Sequence, residues 1–140
     1  MGAAGGKYPG HRAAHAKGVL CTGTFTPSEQ ARELTRAAHM QDGPVRVTVR
    51  FSNGGAKPDG NDAAVGDGRG MAVKFYLPDG TTADIVSLSL PVFFVRTPEE
   101  FLEFTLARAE SMEKVGEFVG SHPATATALQ QIVPRLVPPR

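Results

Sequence analysis

The sequence contains few of the residues that cross-link or anchor the core of a small protein. It contains one cysteine, Cys21, and no tryptophan. A single thiol excludes an internal disulfide and is typical of a reducing compartment. Cys21 is therefore interpreted as a small buried apolar residue rather than as a reactive group.

An excess of charge and a long hydrophobic run are also absent. The formal net charge of +1 provides no clustered basic surface of the kind that binds nucleic acid. The first seven residues lack the apolar core of a signal peptide, and no apolar run approaches the about 20 residues of a membrane span. These absences predict a soluble, cytoplasmic protein with no nucleic-acid partner and no membrane partner.

The apolar share of 41% over 140 residues is ordinary and can supply one domain with a core. Residues 1–11 are rich in glycine and are expected to form an arm, which leaves 12–140 as the domain. Alternating residues indicate strands, most clearly where valines share one face and Arg50 and Ser52 share the other. The predicted strands are 19–25, 45–51, 70–77 and 82–87, the last two as a hairpin.

Two copies of one capping signature predict helices. Residues 26–29 (Thr-Pro-Ser-Glu) place threonine at the N-cap, proline at the first helical position and glutamate three residues after the threonine. This helix is expected to run to about residue 38. Residues 97–100 (Thr-Pro-Glu-Glu) repeat the signature and predict a helix to about residue 109. Two shorter helices are expected at 112–119 and 124–132.

Common ligand-binding motifs are incomplete in this chain. Residues 66–70 alternate glycine with other residues but lack the spacing of a dinucleotide-binding loop. Residues 59–62 (Asp-Gly-Asn-Asp) lack the downstream glutamate of a calcium loop. His11 and His15 lie four residues apart without the glutamate of a zinc motif. Residues 53–67 are therefore interpreted as a solvated crossing loop.

His15 is the first candidate for chemistry. A lone histidine is usually structural or solvated, and the residue type alone leaves that interpretation open. Neutral imidazole can, however, take a proton from one atom of a substrate and return it to another near neutral pH. Such a base needs a partner that fixes its tautomer and ring plane, as a serine hydroxyl can.

Several segments, taken in order, resemble the catalase superfamily. Residues 12–18 (Arg-Ala-Ala-His-Ala-Lys-Gly) and 49–52 (Val-Arg-Phe-Ser) are similar to its distal haem face. Residues 97–102 (Thr-Pro-Glu-Glu-Phe-Leu) add a likeness to the short catalase-related peroxidase branch. As a set, the matching segments are highly specific. The others are 67–76, 84–86 and 91–96.

The resemblance implies a role for each matching residue. His15 would be the distal acid/base that turns over peroxide, and Ser52 would be the serine that hydrogen-bonds it. Arg12 and Arg50 would pair with haem propionates, since a guanidinium binds a carboxylate bidentately. The alternative for Arg50 is a solvent-facing place on an amphipathic edge strand. The remaining positions would wall the haem pocket and its channel, although the aromatic ones also fit an ordinary core: Val86, Phe93, Phe94 and Phe101.

Two departures from the family pattern shape the hypothesis. The family places an asparagine where this chain has Leu88, which favours peroxidase-type turnover over disproportionation of peroxide. The family also ligates haem iron through a helical tyrosine in an Arg-x-x-x-Tyr pattern. Tyr8 and Tyr76 are the two tyrosines of this chain, and neither follows an arginine at that spacing. A second hypothesis is therefore a non-catalytic fragment or assembly module that keeps the fold without ligating iron.

The resemblance also sets the expected architecture and partners. The fold should be α+β, part of a catalase-type antiparallel β-barrel with peripheral helices. The implied cofactor is b-type haem, without a proximal tyrosine from this chain, and the implied substrates are a peroxide and a small organic reductant. Part of a barrel leaves two open strand edges. The chain is therefore expected to pair with another copy or with a missing C-terminal half.

Overall fold

The computed structural model describes residues 6–41, 43–63 and 66–136, so the expected arm lies partly outside the described residues. The chain divides into two compact units. The sheet unit comprises residues 18–52 and 70–87, and the helical unit comprises 1–17, 53–69 and 88–140. Every helix in the described ranges is too short or too polar to cross a bilayer.

Four strands form one antiparallel sheet in the order in which they occur along the chain. Each begins and ends within two residues of its predicted bounds, and the hairpin of the last two strands is confirmed. The first and last strands are the edges of the sheet. Together with the helices, this sheet confirms the predicted α+β class. The strands are β1 (Gly18–Phe25), β2 (Val45–Asn53), β3 (Arg69–Tyr76) and β4 (Thr82–Leu88).

The core of the sheet unit lies at one end of the sheet. Val45, Val47 and Phe75 are buried together. The Phe75 ring stacks on the buried His39 ring with 4.1 Å between centroids and meets Phe25 edge-on at 5.2 Å. Burial of a large apolar side chain stabilises a fold by about 1.5–3 kcal/mol, so this cluster fixes which face of the sheet is covered.

The predicted helix after residue 26 is wrong. The structure has a single helical turn, α1 (Ala31–Leu34), and a separate 3-10 turn at Ala38–Met40. Thr35 leaves the helix with an extended backbone, and its hydroxyl accepts a hydrogen bond from the N–H of Ala37 at 3.1 Å. Such local bonds compete with helix continuation. Leu34 is 84% exposed, so packing does not oppose them.

The interpretation of Cys21 as buried is also wrong. Cys21 is exposed. It lies in β1, an edge strand whose hydrogen-bonded neighbour in the sheet is β2 alone. An edge position covers a side chain from fewer directions than a central strand does, and composition alone carries no signal of that difference.

In the ranges that the structure describes, the helical unit contains three longer helices, and all three were predicted. The first begins at Thr97, whose hydroxyl accepts a hydrogen bond from the N–H of Glu100 at 3.2 Å. The Glu100 carboxylate in turn accepts from the N–H of Arg96 at 2.7 Å. These bonds satisfy backbone donors that a helix start leaves without partners. The helices are α2 (Pro98–Glu110), α3 (Met112–Ser121) and α4 (Pro123–Ile132).

Aromatic rings hold the helical unit together. The ring centroids of Phe94 and Phe104 lie 4.7 Å apart, and those of Phe104 and Phe118 lie 5.5 Å apart. Phe118 then stacks on His122 at 4.0 Å. These successive ring contacts connect the segment before α2 with α2 itself and with α3. Their packing stabilises both helices.

Candidate functional site

His15 lies in the helical unit, half-buried, with a backbone φ of 54°. This left-handed conformation costs a non-glycine residue roughly 1–2 kcal/mol, because its Cβ crowds the following carbonyl. Among the described residues, His15 is the one non-glycine residue with a positive φ. Such strain persists only where the surrounding structure fixes the backbone, and it is frequent at functional sites.

Three backbone hydrogen bonds hold the segment around His15. The N–H of His15 donates to the carbonyl of Gly54 at 3.3 Å, and the N–H of Ala16 donates to that of Gly55 at 3.1 Å. The N–H of Asn53 donates back to the carbonyl of Lys17 at 3.1 Å. Residues 15–17 and 53–55 therefore run side by side, and the second segment fixes the backbone of the first.

The loop that follows Asn53 is more structured than the predicted solvated crossing. The Lys17 ammonium lies 2.9 Å from the Asp62 carboxylate, and the Asn53 amide donates to the same carboxylate at 3.0 Å. The hydrogen bonds from Lys17 and Asn53 hold the pKa of Asp62 below its usual range. Sequence reasoning missed Lys17 and Asp62 as a pair, and their separation in sequence carries no signal that would have found them.

Arg50 and Ser52 lie on one face of the sheet unit. Ser52 is paired with Gly18 across the β1–β2 ladder, and Arg50 is paired with Leu20. A Cβ built on Gly18 would lie 2.7 Å from a terminal guanidinium nitrogen of Arg50 and 2.5 Å from the carbonyl oxygen of Phe51. Only glycine at this position lets the guanidinium lie against the strand.

Apolar side chains accompany Arg50 on the same face. Leu20 is 64% exposed and Val86 is 77% exposed. Val86 shares a face of β4 with Asp84, since side chains two residues apart point the same way. Asp84 forms an ion pair with Lys74 at 2.9 Å. The exposed side chain of Leu20 beside the guanidinium of Arg50 suits a flat, mostly apolar molecule that carries carboxylates, and haem has that character.

The two tyrosines are placed differently. The hydroxyl of Tyr76 lies 3.0 Å from that of Thr48, and the guanidinium carbon of Arg46 lies 4.4 Å from the centre of its ring. Tyr8 is 37% exposed and precedes the distal segment. Within the described ranges, no group of three or more His, Cys, Asp or Glu residues could hold a metal ion. The Arg50 guanidinium and the exposed apolar side chain of Leu20 suit the carboxylates and the apolar plane of a haem, whereas the hydroxyl of Tyr76 already contacts Thr48 from within a strand.

Three of the predicted pocket residues form an aromatic cluster in the helical unit. The Phe93 and Phe94 ring centroids lie 4.8 Å apart, and the Phe101 ring lies 6.0 Å from each of them. Phe93 and Phe94 also line a groove of about 270 Å³ against residues of α4. Phe94 takes part in the successive ring contacts described above, so its contacts are also those of a core residue.

The predicted site residues are thus distributed over both units. The helical unit contains Arg12, which is exposed, together with His15 and the three phenylalanines. The sheet unit contains Arg50, Ser52 and Val86. The backbone of His15 is fixed by its hydrogen bond to Gly54, and Arg50, Ser52 and Val86 lie in strands of the sheet.

Comparison with known proteins identifies the family. The family described as Catalase matches residues 8–118. A catalase-related peroxidase from Mycolicibacterium paratuberculosis is 46% identical over 103 residues, which are 74% of this chain and 33% of that protein. A catalase-related peroxidase from Synechococcus elongatus is 34% identical over 98 residues, which are 70% of this chain and 29% of that protein. The chain thus spans about a third of the length of these relatives.

Solved structures agree with the sequence match. A bacterial catalase superposes with a TM-score of 0.69 at 28% identity, covering 83% of this chain and 24% of the catalase. A fungal catalase also gives a TM-score of 0.69 at 28% identity, covering 86% of this chain and 25% of the catalase. The matched region includes the strained histidine, the four-stranded sheet and helix α2. This chain therefore belongs to the catalase family, and it is similar to the catalase-related peroxidase branch.

Proposed function

We propose that this chain supplies the distal face of a haem-dependent peroxidase that acts on hydrogen peroxide or organic peroxides. The observation that carries the proposal is His15, held at φ 54° within the range that matches the catalase family, in a segment that resembles the family's distal histidine motif. A strained, backbone-fixed imidazole suits a group that must meet a small substrate at one orientation.

His15 acts in this proposal as the acid/base. Its imidazole takes a proton from one peroxide oxygen and returns it to the other. The hydroxyl of Ser52 fixes the tautomer and the ring plane of the imidazole. When bound, haem supplies the redox-active iron that the peroxide oxidises, and a small organic reductant is the second substrate.

Arg50 and Arg12 hold the acidic edge of the haem in this proposal. The guanidinium of Arg50 is already confined, because it lies against Gly18. A confined guanidinium loses little conformational freedom when it binds a carboxylate bidentately. Val86 and the phenylalanines of the aromatic cluster (Phe93, Phe94 and Phe101) provide the apolar wall.

Leu88 sets the type of turnover in this proposal. It is the position at which the family's asparagine helps to hold peroxide, and leucine offers no hydrogen-bonding group. The side chain is partly exposed. Oxidation of an organic reductant is therefore favoured over disproportionation of peroxide.

The decisive experiment compares His15→Ala with His11→Ala in the haem-reconstituted chain. We expect loss of His15 to lower peroxide turnover by ~10²–10⁴-fold, since this is the usual contribution of a catalytic acid/base. His11 lies in the same segment and is exposed, so its replacement controls for the loss of an imidazole. Haem titration should show nearly equal affinity for both variants. Wild-type rates in His15→Ala would overturn the proposal.

Ser52→Ala refines the same experiment. It removes one orienting hydrogen bond, worth about 1 kcal/mol, which corresponds to roughly a fivefold slower reaction. Loss of turnover as severe as that of His15→Ala, together with lowered thermal stability, would show that Ser52 supports the fold instead.

A second function, a non-catalytic assembly module, is favoured by one observation. The hydroxyl of Tyr76 already contacts Thr48 from within a strand. We therefore expect the isolated chain to bind haem weakly and without a tyrosinate ligand. Absorption spectroscopy after haem reconstitution distinguishes the two functions. A tight tyrosinate-type ferric spectrum with rapid peroxide consumption, lost in Tyr76→Phe or Tyr8→Phe, would exclude the assembly module.

The proposal includes a cytoplasmic location and association through the sheet. Strands β1 and β4 are edge strands, and unpaired strand edges favour pairing with another chain. Sizing of the chain by analytical ultracentrifugation at several concentrations tests this part. A strictly monomeric chain at high concentration would contradict it.

A further inference from the structure

The strained backbone of His15 raises the question of what fixes it. Its direct hydrogen bond runs to Gly54, a residue whose own position must then be fixed. The N–H of Gly54 donates to the carbonyl of Gly68 at 2.7 Å. A Cβ at Gly54 would lie 3.0 Å from the Asp67 carboxylate and 3.1 Å from the Gly68 carbonyl oxygen. Gly54 is therefore closely confined by Asp67 and Gly68.

A single carboxylate oxygen of Asp62 connects residues 15–17 with residues 53–55, the two segments that are joined by backbone hydrogen bonds. Oδ1 of Asp62 lies 2.9 Å from the Lys17 ammonium and accepts from the side-chain amide of Asn53 at 3.0 Å. Lys17 is the last residue of the segment that contains His15. Asn53 is the first residue of the segment whose carbonyl groups accept hydrogen bonds from the N–H groups of His15 and Ala16. The Lys17 ammonium also donates to the carbonyl of Gly60 at 2.8 Å. Asp62 thus clamps both sides of the pairing at one point.

Arg69 holds Asp62 in place. Its guanidinium donates to the backbone carbonyl of Asp62 and forms an ion pair with the Asp67 carboxylate at 3.2 Å. The backbone of Arg69 is itself fixed by Ser89, whose hydroxyl accepts from the Arg69 N–H at 2.8 Å. The contacts run from Arg69 through Asp62 to the segment of His15, and all of these residues belong to the helical unit.

We infer that Lys17 and Asp62 are positioning residues for His15, which clamp residues 15–17 onto 53–55 and keep the imidazole at its working orientation. The inference rests on the proposed function of His15 as the acid/base. Neither residue touches substrate in this view. Their effect on turnover passes through the backbone of His15, because displacement of a catalytic group by about 1 Å can slow a reaction by up to ~10²-fold.

The first measurement is amide hydrogen exchange in the full chain, which does not depend on haem or activity. In Lys17→Met, we expect the protection of the Ala16 N–H to fall roughly fivefold, the upper range for a partly exposed ion pair. Protection of the Phe101 N–H in α2 should not change. Lys114→Met is the matched control, because it removes the Lys114–Glu117 pair of α3, at 2.7 Å and of similar exposure. Unchanged protection at Ala16 in Lys17→Met would overturn the clamp.

The second measurement is turnover in the haem-reconstituted chain. We expect Lys17→Met to lower kcat about three- to tenfold with little change in KM, since a displaced acid/base slows chemistry rather than binding. Lys17→Arg keeps a cation that reaches Asp62 and should restore most of the activity. Asp62→Ala should match or exceed Lys17→Met, because it also removes the acceptor for the Asn53 amide. The loss of kcat in the double variant should be smaller than the two single losses combined, because both changes break the Lys17–Asp62 ion pair.

The outcomes separate this inference from the proposed function. If Ala16 loses protection but kcat stays at the wild-type value while His15→Ala abolishes turnover, the positioning role is wrong and the proposed function stands. If His15→Ala leaves turnover intact, the proposed function fails and the positioning role for catalysis fails with it. Failure of Lys17→Arg to restore kcat, with normal protection at Ala16, would also overturn the inference.

Discussion

The same capping signature occurs at residues 26–29 and 97–100, and the two regions fold differently. At 97–100, threonine caps a helix of 13 residues, α2. At 26–29, the chain forms no helix until Ala31, and the helix that follows has four residues. Its N-cap position is occupied by Gln30, without a side-chain cap bond. The local signal is nearly identical, so the difference has another cause.

The difference arises because α2 packs against other aromatic side chains, whereas α1 does not bury its leucine. Phe101 and Phe104 of α2 pack on Phe94, and Phe104 also packs on Phe118 of α3. Leu34, by contrast, is 84% exposed. An isolated helix of about 12 residues is marginal in water, and most helical stability in proteins comes from packing of an apolar face. A capping signature therefore selects where a helix begins only if tertiary contacts support the helix.

The largest effect should come from removal of the packing partner. Phe118 is 3% exposed, and Phe118→Ala should lower the free energy of unfolding by about 3–5 kcal/mol through lost burial and a residual cavity. Leu34→Ala is the control in the other region and should have little effect. Urea unfolding followed by circular dichroism measures both. Similar losses in the two variants would refute the packing explanation.

The caps themselves should differ by a smaller amount. Thr97→Ala removes the acceptor for the Glu100 N–H and should lower the free energy of unfolding by about 1 kcal/mol. Thr26→Ala should leave it unchanged within experimental error, since α1 begins at Ala31. Thermal unfolding of the two variants side by side provides the measurement. An equal loss at Thr26 would mean that this threonine caps after all.

The smallest effect is expected at the residue that ends α1. Thr35→Ala deletes the hydroxyl that accepts from the Ala37 N–H and improves helix propensity by less than about 0.7 kcal/mol. We still expect residues 35–37 to stay outside a helix, because Leu34 is 84% exposed and packing contributes little to helix formation there. Backbone chemical shifts of these residues report the result. A continuous helix in the variant would show that the threonine bond, and not packing, decides.

In the candidate site, too, some features follow from local sequence and others depend on tertiary contacts. The motif around His15, together with Arg50, Ser52 and Val86, could be predicted as a candidate site from sequence because the resemblance lies in short contiguous segments. The strained φ of His15 and the hydrogen bond from its N–H to the carbonyl of Gly54 could not be predicted from the sequence. Backbone strain depends on contacts with residues distant in the chain, and residue type gives no sign of it at a histidine.

The sequence by itself determined the four strands and the three longer helices. Alternation of apolar and polar residues is a property of neighbouring positions, so it survives without knowledge of the fold. It also determined the family, because several motifs in one order are far more specific than any one of them.

Only the tertiary structure decided that α2 forms a long helix while α1 is a single turn, and that Cys21 is exposed. It also decided which carboxylate pairs with Lys17. Asp62 lies 45 residues after Lys17, and the loop between Asn53 and Arg69 brings the two side chains to 2.9 Å. Many pairs of a lysine and an aspartate could be drawn from this sequence. The folded backbone selects among them, because an ion pair forms only where the chain has already brought its two charges within reach.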